Sequence, residues 1–237
     1  MSKLDILCFG AHPDDVEIGM AATIAKYSTQ GKRIGICDLT TANLSSNGNV
    51  ELRKQEALKA SEILGLHKRI ILDMPDRGLY MKEEYIKEIV RIIREYKPEL
   101  IFVPYMIDRH PDHGNCARLV EEAFFSAGIK KYDESFGLQA HKAKNLFYYM
   151  INGFHEPDFV VDVTTYIDKK VQALQAYKSQ FVKVEGGEQT PLTDGYLDSV
   201  LAREKLFGKQ VDVTYAEGFK TRRPVIMDKD LFGVNEN

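Results

Sequence analysis

Residues Leu4–Ser28 read LDILCFGAHPDDVEIGMAATIAKYS. The first seven are nearly all apolar, as in a strand buried on both faces. The last part carries small and apolar residues at helical spacing. A buried strand that passes through a tight loop into a helix is the first half of a β-α-β unit, and the same alternation continues along the chain. RIGICDLT (33–40) is followed by VELRKQEALKASEILG (50–65), RIILDM (69–74) by EEYIKEIVRIIREY (83–96), and ELIFVPY (99–105) by ARLVEEAFFSAG (117–128). Continuous apolar strands separated by amphipathic helices predict a Rossmann-like α/β fold, a doubly wound and mainly parallel sheet with helices on both faces. Two further strands, NLFYYMI (145–151) and DFVVDVT (158–164), and the helix TYIDKKVQALQAYKSQF (165–181) carry this core to about residue 180. The stretch VKVEGGEQTPLTD (182–194) has no periodic apolar face and reads as a surface loop. A helical piece, LDSVLAREKLFG (197–208), and a polar tail follow, so the expectation is one domain over residues 1–237 with a C-terminal helical appendage from about 181.

Composition narrows the function. The chain has 237 residues, 44% apolar and 28% charged, with a net charge of −3. No basic run could track a phosphate backbone, so a small-molecule partner is expected rather than nucleic acid. No apolar stretch approaches the roughly 20 residues that span a bilayer, and MSKLDILCFG enters a strand without a signal-peptide pattern. The expectation is no membrane partner and a cytoplasmic location. Cys8, Cys37 and Cys116 are odd in number and widely spaced, which favours reduced packing residues over a disulfide.

In an open parallel sheet ligands bind beyond the carboxyl ends of the strands. Two of those ends carry the same tripeptide: His12-Pro13-Asp14-Asp15 follows the first strand, and His110-Pro111-Asp112-His113 follows ELIFVPY, after Asp108 and Arg109. Proline suits the first turn of a helix and aspartate suits its dipole, so helix capping and ion pairing account for part of each loop. They do not account for the histidines, which stand three residues from a second donor in each loop (His12 and Asp15; His110 and His113). Imidazole with carboxylate is a zinc donor set, and three protein ligands with a fourth position open mark a catalytic site. A dinucleotide site is disfavoured, because two carboxylates stand where glycines would have to admit a pyrophosphate.

AHPDD together with HPDH resembles the LmbE/PIG-L superfamily of zinc-dependent N-deacetylases, which act on N-acetylglucosaminyl compounds. The stretches CDLTTANLSSNG, LDMPDRGLY, YYMINGFH and YAEGF are further similar to its bacillithiol-pathway branch, which deacetylates N-acetylglucosaminyl malate. The resemblance implies one Zn2+ per subunit on His12, Asp15 and His113, Asp14 as general base, and a homo-oligomer. It makes His110 the donor to the leaving group or oxyanion, with Asp112 orienting an imidazole. Arg53 and Arg109 are candidates for pairing with malate carboxylates, or else surface ion pairs. Asp76 is a candidate for sugar hydroxyls, or else a turn residue. A mycothiol-pathway relative has a tyrosine where this sequence has Asp108, and Tyr196 is the candidate to supply that hydroxyl, with plain packing as the alternative. Cys116 is expected not to be a ligand, and His67, His141 and His155 have no readable partners. Two other readings stay open: a deacetylase for another N-acetylglucosamine derivative such as a chito-oligosaccharide, and a non-catalytic metal- or sugar-binding module.

Overall fold

The computed structural model describes residues 3–133, 135–183 and 187–225. The polar tail beyond 225 and positions 184–186 of the expected loop lie outside the described residues. Seven strands form one sheet: β1 (Ile6–Gly10), β2 (Ile34–Thr40), β3 (Lys68–Met74), β4 (Leu100–Pro104), β5 (Asn145–Tyr149), β6 (Phe159–Asp162) and β7 (Ala216–Lys220). Their order is β3-β2-β1-β4-β5-β7-β6. Strands β1 to β5 pair in parallel, and β7 runs antiparallel to both of its neighbours. The helices are α1 (Asp15–Thr29), α2 (Val50–Leu64), α3 (Glu83–Tyr96), α4 (Pro111–Ala127), α5 (Ile167–Ala176), the single turn α6 (Lys178–Phe181) and α7 (Tyr196–Lys209).

Strand alternation sorts the apolar residues onto two faces, as the doubly wound reading requires. Ile6 and Cys8 of β1 point into the core shared with α1, α2 and α5, while Leu7 and Phe9 point into the core shared with α3 and α4. Helix α1 approaches the sheet so closely at Gly19 that a Cβ there would stand 2.1 Å from Cδ2 of Tyr149. Glycine is therefore required where α1 crosses β5. All three cysteines are buried and free, as expected of packing residues. Among the described residues no helix is long and apolar enough to cross a membrane.

The core drawn to about residue 180 is too short. The expected C-terminal helix is α7, but the chain then returns to insert β7 between β5 and β6. This strand contributes Glu217, which is fully buried and accepts the backbone N–H groups of Ala22 (3.1 Å) and Thr23 (2.6 Å). Helix α1 is interrupted at Met20 (φ −153°, ψ 24°), directly before the N–H groups that Glu217 accepts, and a side chain inserted into the ladder accounts for such a kink. Lys170 of α5, also fully buried, pairs with Glu217 (2.7 Å) and with Glu204 of α7 (2.6 Å), and Arg203 supplies a second cation to Glu204 (3.0 Å). The C-terminal segment is thus tied into the core by a buried ionic network.

Candidate active site

The strand order reverses between β1 and β4, whose connections leave in opposite directions, and the crevice beyond their carboxyl ends is where α/β sheets place ligands. Both His-Pro-Asp loops open there. In the second, Pro111 is the first residue of α4 and His110 is its N-cap, with Nδ1 accepting the Asp112 N–H at 3.3 Å. In the first, Asp14 precedes α1 with φ 121°, a conformation that costs a non-glycine residue strain. The cavity over these loops measures ≈ 310 Å³.

His12, Asp15 and His113 meet. Asp15 Oδ2 lies 3.5 Å from His12 Nδ1, and Asp15 Oδ1 lies 3.1 Å from His113 Nε2. Neighbouring donor atoms of a tetrahedral zinc site stand roughly 3.3 Å apart. These two separations are close to that but reach different oxygens of Asp15. Among the described residues, the sets with one donor atom of each residue mutually within 4.8 Å are His12/His110/His113 and His12/Asp76/Asp112. The second nitrogen of each ring faces another carboxylate: His12 Nε2 is 3.1 Å from Asp76 Oδ1 and 3.7 Å from Asp112 Oδ2, and His113 Nδ1 is 2.9 Å from Asp108 Oδ1. Metal-binding histidines characteristically place their outer nitrogen on such a carboxylate. His110 stands over the same centre, and one nitrogen from each of His12, His110 and His113 lies within 4.8 Å of the others.

The electrostatics follow from these contacts. Burial opposes charge on His12, but Asp112, Asp15 and Asp76 hold its pKa well above the usual imidazole value. His113 is raised to about 9 by Asp15 and Asp108, again against burial. Burial likewise opposes the Asp15 carboxylate, yet His113 and His12 keep it well below the ordinary range. Asp14 behaves differently: its burial outweighs the pull of Arg53 and raises it to about 6. Two adjacent aspartates therefore have opposite tendencies, one firmly ionised and one able to take up a proton near neutrality. His110 is lowered by burial and by the charges of His113 and His12, which keeps it neutral. With Nδ1 accepting a backbone N–H, its proton sits on Nε2.

Several expected roles change. Arg53 is only 5% exposed, and its guanidinium is engaged, with Nη1 on Asp14 Oδ2 (2.8 Å) and Nη2 on Ser45 Oγ (2.9 Å). It is a partner of Asp14 that also lines the cavity, with Nε left without a hydrogen-bond partner among the described residues. Arg109 does line the cavity and is exposed. Asp76 is both a turn residue and a site residue: Gly78 N donates to Pro75 O (3.0 Å), while Asp76 turns to His12 and accepts Leu44 N (2.9 Å). The imidazole that Asp112 faces is that of His12, Oδ2 lying 3.7 Å from Nε2, and the same carboxylate accepts Arg77 N at 2.7 Å. Tyr196 lines the cavity, but its hydroxyl is within hydrogen-bond distance of Ile151 O (3.0 Å) and Asn152 Oδ1 (3.1 Å). Cys116 is fully buried in the α3/α4 core. His141 is within hydrogen-bond distance of Pro98 O (2.7 Å), and the His155 ring packs edge-on to Tyr105. Sequence reasoning missed Asp108, Arg77 and Asn152 as site-building residues. For Asp108 a signal existed, a carboxylate five residues before His113.

Known proteins resemble the chain in sequence and in fold. Residues 7–124 match the PIG-L family, described as GlcNAc-PI de-N-acetylase. The chain is 31% identical to the diacetylchitobiose deacetylase of Thermococcus kodakarensis, over 91% of this chain and 82% of that protein. It is 28% identical to the probable N-acetyl-α-D-glucosaminyl L-malate deacetylase 2 of Bacillus subtilis, over 75% and 84% respectively. Identity therefore does not single out the malate branch. The crystal structure of conserved protein TT1542 from Thermus thermophilus superposes with a TM-score of 0.86 at 34% identity, covering 95% of this chain and 98% of that one. With the motif loops, the sheet and these relatives in agreement, the chain belongs to the PIG-L (LmbE) family of deacetylases.

Proposed function

We propose that the chain is a metal-dependent hydrolase that removes acetyl from the 2-acetamido group of an N-acetylglucosaminyl conjugate, with His12, Asp15 and His113 holding one zinc ion. The observation that carries this reading is the double facing of each imidazole, one nitrogen toward Asp15 and the other toward an outer carboxylate. Zinc held there would bring the pKa of a bound water to about 7 and polarise the acetamide carbonyl. Asp14, adjacent to Asp15 yet turned to Arg53, takes a proton from the attacking water and passes it to the departing amine. Arg53 keeps that carboxylate aimed. His110 presents Nε2–H to the acetamide oxygen as negative charge develops on it.

The malate conjugate is the substrate favoured for this site by Arg109, whose exposed guanidinium at the cavity could pair with a carboxylate. A second reading, an N,N'-diacetylchitobiose-type disaccharide, is favoured by the Thermococcus relative. Purified protein should be incubated with N-acetylglucosaminyl malate, diacetylchitobiose and free N-acetylglucosamine, with and without chelator, and released acetate measured. Chelator-sensitive acetate from the malate conjugate in preference to the other two, with an Arg109→Lys variant losing that preference, supports the first reading. Release from diacetylchitobiose alone selects the second. Acetate release that survives full metal removal rejects the metal-dependent mechanism.

A further inference from the structure

His113 does not stand alone behind the centre. Its Nδ1 lies 2.9 Å from Asp108 Oδ1, an ion-pair contact without hydrogen-bond geometry. Both groups are buried at 3–5% side-chain exposure, and Nδ1 has no hydrogen-bond partner among the described residues, so Asp108 is the carboxylate placed to take its proton. Asp108 is in turn held on both oxygens. Oδ1 accepts His110 N (2.8 Å) and Asn152 Nδ2 (2.9 Å), and Oδ2 accepts Asn152 N (3.0 Å). Because the Asn152 amide donates through Nδ2, its Oδ1 is left as an acceptor, and it shares the single Tyr196 hydroxyl proton (3.1 Å) with Ile151 O (3.0 Å), the carbonyl that precedes it. Tyr196 is the first residue of α7, and Asn152 follows β5, so the chain of contacts runs from the C-terminal segment to the histidine.

We propose that Asp108, clamped by Asn152, is the positioning carboxylate of His113, and that Tyr196 anchors the clamp from α7. An acceptor at Nδ1 keeps the proton of the neutral ring on that nitrogen and leaves the Nε2 lone pair directed at Asp15 and the ion. Asparagine at 108 would remove the charge that attracts the Nδ1 proton. Either way round, its amide NH2 would oppose a donor, Asn152 N at the Oδ2 position or His110 N and Asn152 Nδ2 at the Oδ1 position, so the clamp that fixes the ring would loosen. Tyr196 acts here through Asn152 rather than on the acetamide oxygen. This inference rests on the reading of His113 as a metal ligand.

The test uses the full chain, stripped of metal and titrated with Co2+ by its visible absorption, beside zinc-loaded protein in which histidine 15N resonances report the tautomer. His113→Ala first checks the underlying reading: if it keeps full cobalt affinity, His113 is not a ligand and the metal assignment itself fails. If it loses the metal, Asp108→Asn is expected to bind Co2+ about 10–100-fold more weakly, the usual effect of losing an outer carboxylate. Asn152→Leu should weaken binding by a smaller factor. Unchanged affinity in Asp108→Asn overturns the proposal. The wild-type spectrum keeps the question open to refutation even if that variant does not fold: a proton on His113 Nδ1 supports the clamp, and a proton on Nε2 overturns it.

Discussion

Replacing Asp14 by asparagine should separate what this carboxylate does for the reaction from what it costs the fold. Asparagine keeps the shape and still offers Arg53 an oxygen acceptor. Asp14 is 4% exposed, and its pKa rises from 3.8 to about 6 because burial outweighs Arg53. A carboxyl whose folded pKa lies above its unfolded one destabilises the fold where it is ionised. The penalty is absent below pH 3.8, builds between 3.8 and 6, and is complete above 6. At 1.36 kcal/mol per unit it reaches roughly 3 kcal/mol in the metal-free protein. That figure is already net of the attraction of Arg53, so a neutral asparagine escapes it, and urea denaturation of metal-free protein at pH 7 should place the variant up to about 3 kcal/mol above wild type. Between pH 7 and pH 5 the comparison should move against the variant by about 1 kcal/mol, since only wild type gains by taking up a proton. Its metal content should stay full while kcat falls about a hundredfold or more, as loss of a general base requires. Asp15→Asn should fail differently, losing metal and recovering part of its activity with added zinc. An Asp14→Asn enzyme that keeps more than about a tenth of wild-type kcat, or that loses its metal, refutes the division of labour between the two aspartates.

The raised pKa values of His12 and His113 mean that both rings carry protons at pH 7 in the metal-free protein, and a metal has to displace them. Calorimetry in buffers of different ionisation enthalpy should show about one to two protons released per ion, with affinity rising toward pH 9; no release would contradict the assigned ligands. Those ion pairs also stabilise the metal-free fold, fully below the unfolded histidine value of 6.5 and progressively less as pH rises through the folded value of about 9 for His113, which thermal melts at pH 6 and pH 9 will register. Lys170→Met leaves Glu204 and Glu217 buried without their shared cation, and should cost about 3–5 kcal/mol in denaturant unfolding, whereas a loss under about 1 kcal/mol would mean that the network is not what ties β7 to α1 and α5. Cys116→Ser should keep full metal content by elemental analysis, because its thiol sits in the α3/α4 core; depletion would make it a ligand.

The sequence by itself determined the layered sheet and the place of its chemistry. Unbroken apolar runs such as ILCFG specify strands buried on both faces, and the amphipathic stretches between them specify covering helices. The two His-Pro-Asp loops, each following such a strand, announced a polar centre at the carboxyl edge, and an i, i+3 spacing brought His12 beside Asp15. All of these features are local, written within one turn of helix or one strand. Only the tertiary structure decided which distant residues complete that centre. Asp76 reaches His12 across 64 positions and Arg53 reaches Asp14 across 39, and those meetings depend on the strand order β3-β2-β1-β4. Residue periodicity encodes which face a side chain takes, not which neighbour it meets there. For the same reason Arg53 read as a ligand-binding fork and is found buried against Asp14. The strand AEGFK gave no warning of its place, since two of its five residues are charged and one is glycine. Its burial is made possible by Lys170, by the α1 N–H groups that Glu217 accepts, and by Phe207 of α7 packing over Gly218, partners that come together only when the chain has folded.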